Sequence, residues 1–375
     1  MKLRLSFYLL FAITTVLLVL LITVNPNPGA NGSSEKVSRT HSEKNSSFHH
    51  KDFQSTIQLS AIGDILIHSR VYDDAKQKNG GYDFTPMISE VKPLLEKADF
   101  TMANQETMVG GTEIGLSTYP SFNSPFEVAD GFQEAGIDLV TIANNHTLDR
   151  GEKAIMSALN YYDKIKMPYV GSYKNNNDAQ TPRVINKNGI RLGFLAYTYG
   201  TNGIPVPEGK PYLVDLIDKE KMKEDIHKIK QRSDVLIVSM HWGLEYQRLP
   251  NDEQKDLAQF LADQGVHVVI GHHPHVLQPM EWVSGKNGHE AFVIYSLGNF
   301  LSGQEGTFKE IGGILSLDIQ KTTNKKGTNI QILNPEVNPT IVKSNQQQNY
   351  RVHSLENVNE KQNEEMIQHM NQFID

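Results

Sequence analysis

Asn251-Asp252-Glu253-Gln254-Lys255-Asp256-Leu257-Ala258-Gln259-Phe260-Leu261-Ala262-Asp263-Gln264-Gly265-Val266-His267-Val268-Val269-Ile270-Gly271-His272-His273-Pro274-His275 is the stretch that decides the fold. Asn251 is a helix cap with Gln254 at the third position, and Leu257, Phe260 and Leu261 share one face. Gly265 stops that helix, and a β-branched run follows at once, Val266–Ile270. A helix feeding straight into a buried strand belongs to a parallel crossover unit. The strand then ends in a dense Gly-His-His-Pro-His. In parallel α/β sheets the chemistry collects at such carboxyl ends, where loops converge.

Outward from it the pattern recurs. Ile57–Ile62 runs into Gly63-Asp64, and Asp99–Ala103 into Asn104-Gln105-Glu106. Ile137–Ala143 ends at Asn144-Asn145-His146, Val235–Met240 at His241-Trp242-Gly243, and Phe292–Leu297 at Gly298-Asn299-Phe300. Phe126–Ala135 and Glu152–Lys166 read as further crossover helices. After about Lys321 the chain turns polar, with strand-like pieces at Asn329–Leu333 and Thr340–Val342 and a terminal helix over Glu356–Ile374. These readings give an α/β body over residues 56–321 and a C-terminal extension over 322–375.

The N-terminus differs. Lys2 and Arg4 precede an apolar run from Phe7 to Val24; its eighteen residues would span roughly 27 Å, close to a bilayer core. Pro26-Asn27-Pro28-Gly29-Ala30 makes a poor cleavage site. Residues 1–24 are therefore expected to be a single-pass signal anchor with its basic end in the cytoplasm and the body outside the cell. A cleaved signal peptide is the alternative. Residues 25–55, rich in Asn, Ser, Lys and His, read as a flexible linker.

Charge and composition exclude several classes. The formal charge is −7, and the chain has no cysteine. Disulfides, thiolate metal sites and cysteine nucleophiles are ruled out. The N-terminal 55 residues are net basic, so the body is more acidic than the whole. With no basic patch interleaved with aromatics, nucleic-acid binding has no support. An anionic ligand would need a local cationic contact.

The fourteen histidines carry the chemistry. His273 and His275 flank Pro274; on an extended segment residues two apart point the same way, so both rings can reach one point. His272 would point elsewhere and pack or hydrogen-bond. Adding Asp64, Glu106, Asn145 and His241 makes a mixed N/O donor set suited to divalent Mn, Zn, Fe or Mg.

In order, Gly63-Asp64, Asn104-x-Glu106, Asn144-Asn145-His146-x-x-Asp149-x-Gly151, His241-Trp242-Gly243-x-Glu245, Gly271-x-His273-Pro274-His275 and Tyr295-Ser296-Leu297-Gly298-Asn299-Phe300 resemble the CapA/PgsA family of poly-γ-glutamate capsule proteins. That family is itself similar to calcineurin-like metallophosphatases. The resemblance implies a four-layer αββα sandwich with two metal ions. It implies Asp64, Glu106, Asn145, His241, His273 and His275 at the metal centre. His146, oriented by Asp149, would support a ligand or act as general acid. Asn104, Trp242, Glu245 and Asn299 are the candidate substrate contacts. Two positions depart from the phosphatase pattern: Leu66 stands where a ligand histidine is usual, leaving His68 open, and Glu106 replaces a bridging Asp. The implied role is in synthesis or export of the polymer at the cell membrane, beside membrane synthase subunits. A metal-dependent phosphoesterase or other hydrolase is the alternative.

Overall fold

A computed structural model describes residues 53–374. The expected anchor, residues 1–24, and most of the linker lie outside the described residues. Among the described residues no helix is long and apolar enough to cross a membrane.

Two mixed sheets form the body. The first has the order β14-β13-β12-β1-β2-β3-β4, with β11 beside β1. Its parallel part is β1 (Phe53–Leu66), β2 (Phe100–Gln105), β3 (Leu139–Thr141) and β4 (Tyr169–Val170). β11 (Asn299–Ser302) joins β1 in parallel. β12 (Ile311–Asn324), β13 (Gly327–Asn345) and β14 (Gln348–Ser354) extend it antiparallel. The second sheet has the order β5-β6-β7-β8-β10-β9. It comprises β5 (Arg183–Lys187), β6 (Ile190–Thr198), β7 (Val235–His241), β8 (Val268–His272), β10 (Glu290–Leu297) and β9 (Leu277–Ser284).

The strand alternation explains the layering. In β7, Val235 and Ile237 belong to the large core shared by both sheets, whereas Leu236, Val238 and Met240 belong to a second core. The second core is closed by α3 (Lys219–Lys230) and α4 (Asp252–Asp263) through Met222, Ile226, Leu257 and Leu261. β8 and β10 divide the same way, Val268 and Ile270 from Val269, and Phe292 and Ile294 from Val293. A period of two sends successive side chains to opposite faces, so both faces are covered. Phe100 stacks on Phe194 at 5.2 Å and Ser239 donates to Thr141 at 3.2 Å, tying one sheet to the other. α1 (Glu127–Glu134) and α2 (Gly151–Ile165) bury Phe132, Ile155 and Leu159 in the large core.

Asn251 and Gln254 form the expected reciprocal cap at the start of α4. The strand-like pieces after Lys321 are one long strand, β13, paired along β12. The boundary placed at 321/322 falls inside β12, so the C-terminal residues continue the first sheet. α5 (Glu360–Met370) supplies the terminal helix, shorter than expected, burying Met366 and Met370.

His267, just before β8, lies far from the polar strand ends. Its Nδ1 accepts the Leu236 N–H at 3.1 Å, which requires the neutral ring. Burial, then the neighbouring His289 and Lys230, holds its pKa down at about 4. The unfolded chain protonates near 6.5, so this term is fully present above that pH and is lost as pH falls towards 4. We expect a loss of roughly 2–3 kcal/mol over that window. In His267→Asn, Asn Oδ1 can take the place of Nδ1 and the added slope should disappear. Identical pH profiles in urea titrations of the two proteins would count against it.

Candidate metal centre

The carboxyl ends of β1, β2, β3, β7 and β8 meet at one edge of the sandwich. Asp64 sits on β1 where the register shifts against both β2 and β11, a bulge that re-aims the side chain. Gly63 is required there, because a Cβ would lie 2.1 Å from the Gly298 carbonyl oxygen. Glu106 directly follows β2, His241 ends β7, and His272 ends β8.

The His-Pro-His turn differs from the extended segment expected. His273 and His275 have φ of 96° and 58°, a region L-residues with side chains seldom adopt. Their rings converge through two left-handed residues, with centroids 5.8 Å apart. Ligand-capable atoms of Glu106, His273 and His275 all lie within 4.8 Å of one another.

The two carboxylates have opposite surroundings. Asp64 is saturated. Its Oδ1 takes hydrogen bonds from Asn104 Nδ2 at 2.8 Å and His272 Nδ1 at 3.1 Å, and its Oδ2 from the His273 N–H at 3.3 Å and His275 Nδ1 at 3.1 Å. Burial alone would raise its pKa, but the bonds from His272 and His275 outweigh it and hold the group well below the ordinary carboxylate range. Glu106 is fully buried, and neither oxygen has a hydrogen-bond partner. Burial pushes it well above the ordinary range against the opposing charge of His275. His241 Nε2 and His275 Nε2 each stand 3.6 Å from Glu106 Oε1, too long for a hydrogen bond.

The imidazoles divide likewise. Burial lowers His275, but the charges of Glu106 and Asp64 win and raise it to about 9. Burial, then His275, lowers His273 to about 3. Burial, then His273, holds His241 well below 6.5. His241 Nε2 is 2.8 Å from Asn145 Oδ1, while the Nδ1 atoms of His241 and His273 are buried without partners.

These orphaned atoms test the donor set for a metal. A buried carboxylate and buried imidazole nitrogens without partners are costly. N and O ligands about 2.0–2.2 Å from a shared cation stand roughly as far apart as those observed here. The residues fit a divalent ion.

His146 lies beside this cluster. Its Nδ1 is 2.8 Å from Asp149 Oδ2, and its ring meets Phe122 edge-on at 4.7 Å. Asp149 Oδ2 also accepts the Phe122 N–H at 2.7 Å, which fixes the carboxylate. His68 takes the Gly303 N–H on Nδ1 at 3.2 Å, and burial lowers it to about 4.

Among the candidate substrate contacts, two need correction. Trp242 is buried in the second core, stacked on Tyr295, with its indole N–H on the Tyr295 carbonyl at 2.9 Å. The residue after His241 points to the opposite face of the sheet, so Trp242 cannot stack on a ligand. Asn104 is committed to Asp64 and positions it. Asn299 is buried, its Nδ2 reaching the carbonyls of Lys309 at 2.8 Å and His275 at 3.4 Å. Glu245 is exposed. Sequence reasoning missed Tyr199 and Asn202. Tyr199 lies 4.7 Å from the His273 ring, and Asn202 Oδ1 accepts from Asn145 Nδ2 at 3.2 Å. Their signal was present: Ile190–Tyr197 is another apolar run ending in a polar turn.

The fold and site define a two-sheet α/β protein with a buried carboxylate–imidazole cluster suited to a divalent ion. The family described as "Bacterial capsule synthesis protein PGA_cap" matches residues 58–304, more than half of the chain, and the chain belongs to that family. It is 28% identical over 275 residues to a "PGA biosynthesis protein CapA" of Bacillus subtilis (strain 168), covering 71% of this chain and 68% of that protein. It is 28% identical over 266 residues to a "Capsule biosynthesis protein CapA" of Bacillus anthracis, covering 67% of this chain and 61% of that one. A solved hypothetical protein from Thermus thermophilus is a distant likeness, at 15% identity and a TM-score of 0.42 over 75% of this chain and 98% of that chain.

Proposed function

We propose that this chain is a membrane-anchored, outward-facing protein of poly-γ-glutamate capsule synthesis or export, with a metallophosphatase-like two-ion centre. The family and the two CapA relatives support the pathway. The apolar run Phe7–Val24 supports the anchor. The metal part rests on one observation above all: Glu106 is buried with both oxygens unpartnered, facing His241 and His275.

Glu106, His273 and His275 would hold one ion, with Asn145 and His241 completing the set, and Asp64 would join as a ligand by giving up one of the four hydrogen bonds it accepts. Bound divalent ions would supply positive charge that orients and polarises a carboxylate or phosphoryl oxygen. Asp64 orients the His-Pro-His turn through His275 Nδ1 and the His273 N–H, and Asn104 orients Asp64. In an acidic chain, such a centre is the contact through which carboxylates of the polymer or its precursors can be held.

A second reading is favoured by the His146–Asp149 pair. Asp149 fixes the ring through Nδ1, leaving Nε2 to carry a proton to a leaving oxygen. Simple carboxylate binding needs no such oriented imidazole, and a metal-dependent hydrolase does. Full-length protein loaded with Mn or Zn separates the two. Turnover of an aryl phosphate that is lost in His146→Ala supports the hydrolase. Metal-dependent retention on poly-γ-glutamate without turnover supports the binding role.

Loading should also release protons. At pH 7 the metal-free site holds Glu106 raised and His275 raised to about 9, and ligands must be deprotonated. Glu106 and His275 face each other and share the proton, so we expect about one proton released per site filled, read as buffer-dependent heats in calorimetry. Heats independent of the buffer would contradict this protonation of the empty site.

A further inference from the structure

The mouth of the centre carries an arrangement that metal binding does not use. Tyr246, in the loop after β7, has φ of 65°, an unusual backbone state for an aromatic residue. Its N–H donates to the Pro274 carbonyl at 2.8 Å, clipping the loop onto the His-Pro-His turn. Tyr246 is 47% exposed, and its ring lies 6.2 Å from the His275 ring. Lys309 Nζ stands 5.0 Å from the centre of that ring. Lys309 is half-buried, and among the described residues it forms no ion pair. Asn299 Nδ2 reaches the backbone carbonyls of both Lys309 and His275, so the ammonium and the ligand turn share an anchor. Glu245, the residue before Tyr246 in the same loop, is exposed, and its charge, after burial, pushes the Tyr246 hydroxyl up to about 12.

An ammonium over one exposed aromatic ring, with an exposed carboxylate on the preceding residue, therefore stands beside the ligand turn. Building on the capsule reading above, we propose that Lys309, Tyr246 and Glu245 form a recognition subsite for a polyamide chain with pendant carboxylates, next to the metal centre. The chemistry discriminates. Each unit of such a chain offers an anionic acceptor for Lys309, an amide N–H for Glu245 and an apolar stem for the Tyr246 ring. A small phosphomonoester offers no amide donor, and the Glu245 carboxylate disfavours bare anions that bring nothing to satisfy it.

The test uses full-length protein loaded with Mn or Zn, a labelled γ-linked glutamate oligomer, and inorganic phosphate as the small anion. Metal content is measured alongside. Lys309→Gln and Tyr246→Ala should load metal as the parent does and bind the oligomer roughly tenfold more weakly, with phosphate binding unchanged. Lys309→Arg should restore most of the oligomer affinity. Parent binding should weaken with added salt, and more steeply than binding by Lys309→Gln. Variants that load metal and bind the oligomer like the parent would overturn the subsite and leave the metal centre intact. So would a metal-loaded parent that does not bind the oligomer at all. A parent that takes up no metal would overturn the reading of the centre instead, and oligomer binding that still falls in Lys309→Gln would then keep the subsite.

Discussion

Glu106→Gln should abolish metal uptake while leaving the metal-free protein as stable as before, or more so. The two effects have one cause. In the metal-free fold the Glu106 carboxyl is fully buried with no donor on either oxygen, and burial pushes its pKa well above the ordinary range. Replacing it by a neutral amide of the same shape removes no hydrogen bond. It also removes the cost of ever ionising there. With a divalent ion the balance reverses, because the side chain that His241 and His275 face at 3.6 Å no longer offers a charged oxygen. A fall of at least a hundredfold in metal affinity is expected, since changes even to outlying supports of metal sites cost about 10–100-fold. Melting curves with metal and with chelator give the answer. The parent should show a metal-dependent rise in midpoint, and the variant none. A variant that binds metal with parental stoichiometry would remove the basis for placing the centre at Glu106.

Gly271→Ala should be the most damaging single methyl in the site region. A Cβ at Gly271 would lie 1.9 Å from the Tyr295 carbonyl oxygen, 2.5 Å from its carbon and 2.7 Å from Trp242 Nε1. These are backbone and ring atoms of the adjacent buried strand and loop, so no flexible side chain can give way. Relief requires β8 and β10 to part, breaking the bond from Trp242 to Tyr295 at 2.9 Å and displacing His272 and the ligand turn. Overpacking typically costs 1–3 kcal/mol, and a clash with main chain belongs at or above the upper end, about 3 kcal/mol. Gly200→Ala is the control, because nothing lies within 4 Å of the place its new methyl would occupy and its φ is not in the left-handed region. Equal urea midpoints for the two alanine variants would refute the packing argument. The glycine of the Gly-His-His-Pro-His run is thus a packing requirement that also sets where the histidines begin.

These two residues show how legible the site is. Gly271, His273 and His275 stand out in the sequence as a dense cluster after an apolar run, and Glu106 as a carboxylate at a strand end. That they meet follows from the parallel strands whose carboxyl ends share an edge. Trp242 misleads because a neighbour of a ligand in sequence faces the opposite side of a strand. Asn104 misleads because its amide is taken up by Asp64, forty positions earlier. Tyr199 and Asn202 escape notice although they close a run as regular as the others.

By itself the sequence determined the α/β class, the capping of α4, the strand ends where polar groups gather, the donor types available to a metal, and the family. Those are set by local periodicity and by residue chemistry, which need no knowledge of distant partners. Only the tertiary structure decided that Asp64 is saturated by donors while Glu106 is left bare, that His273 and His275 converge through left-handed turns, and that Lys309 stands beside Tyr246 at the mouth. Each of these depends on pairing between residues tens to hundreds of positions apart. A carboxylate's behaviour is set by the atoms that surround it after folding, and its own place in the chain does not record them.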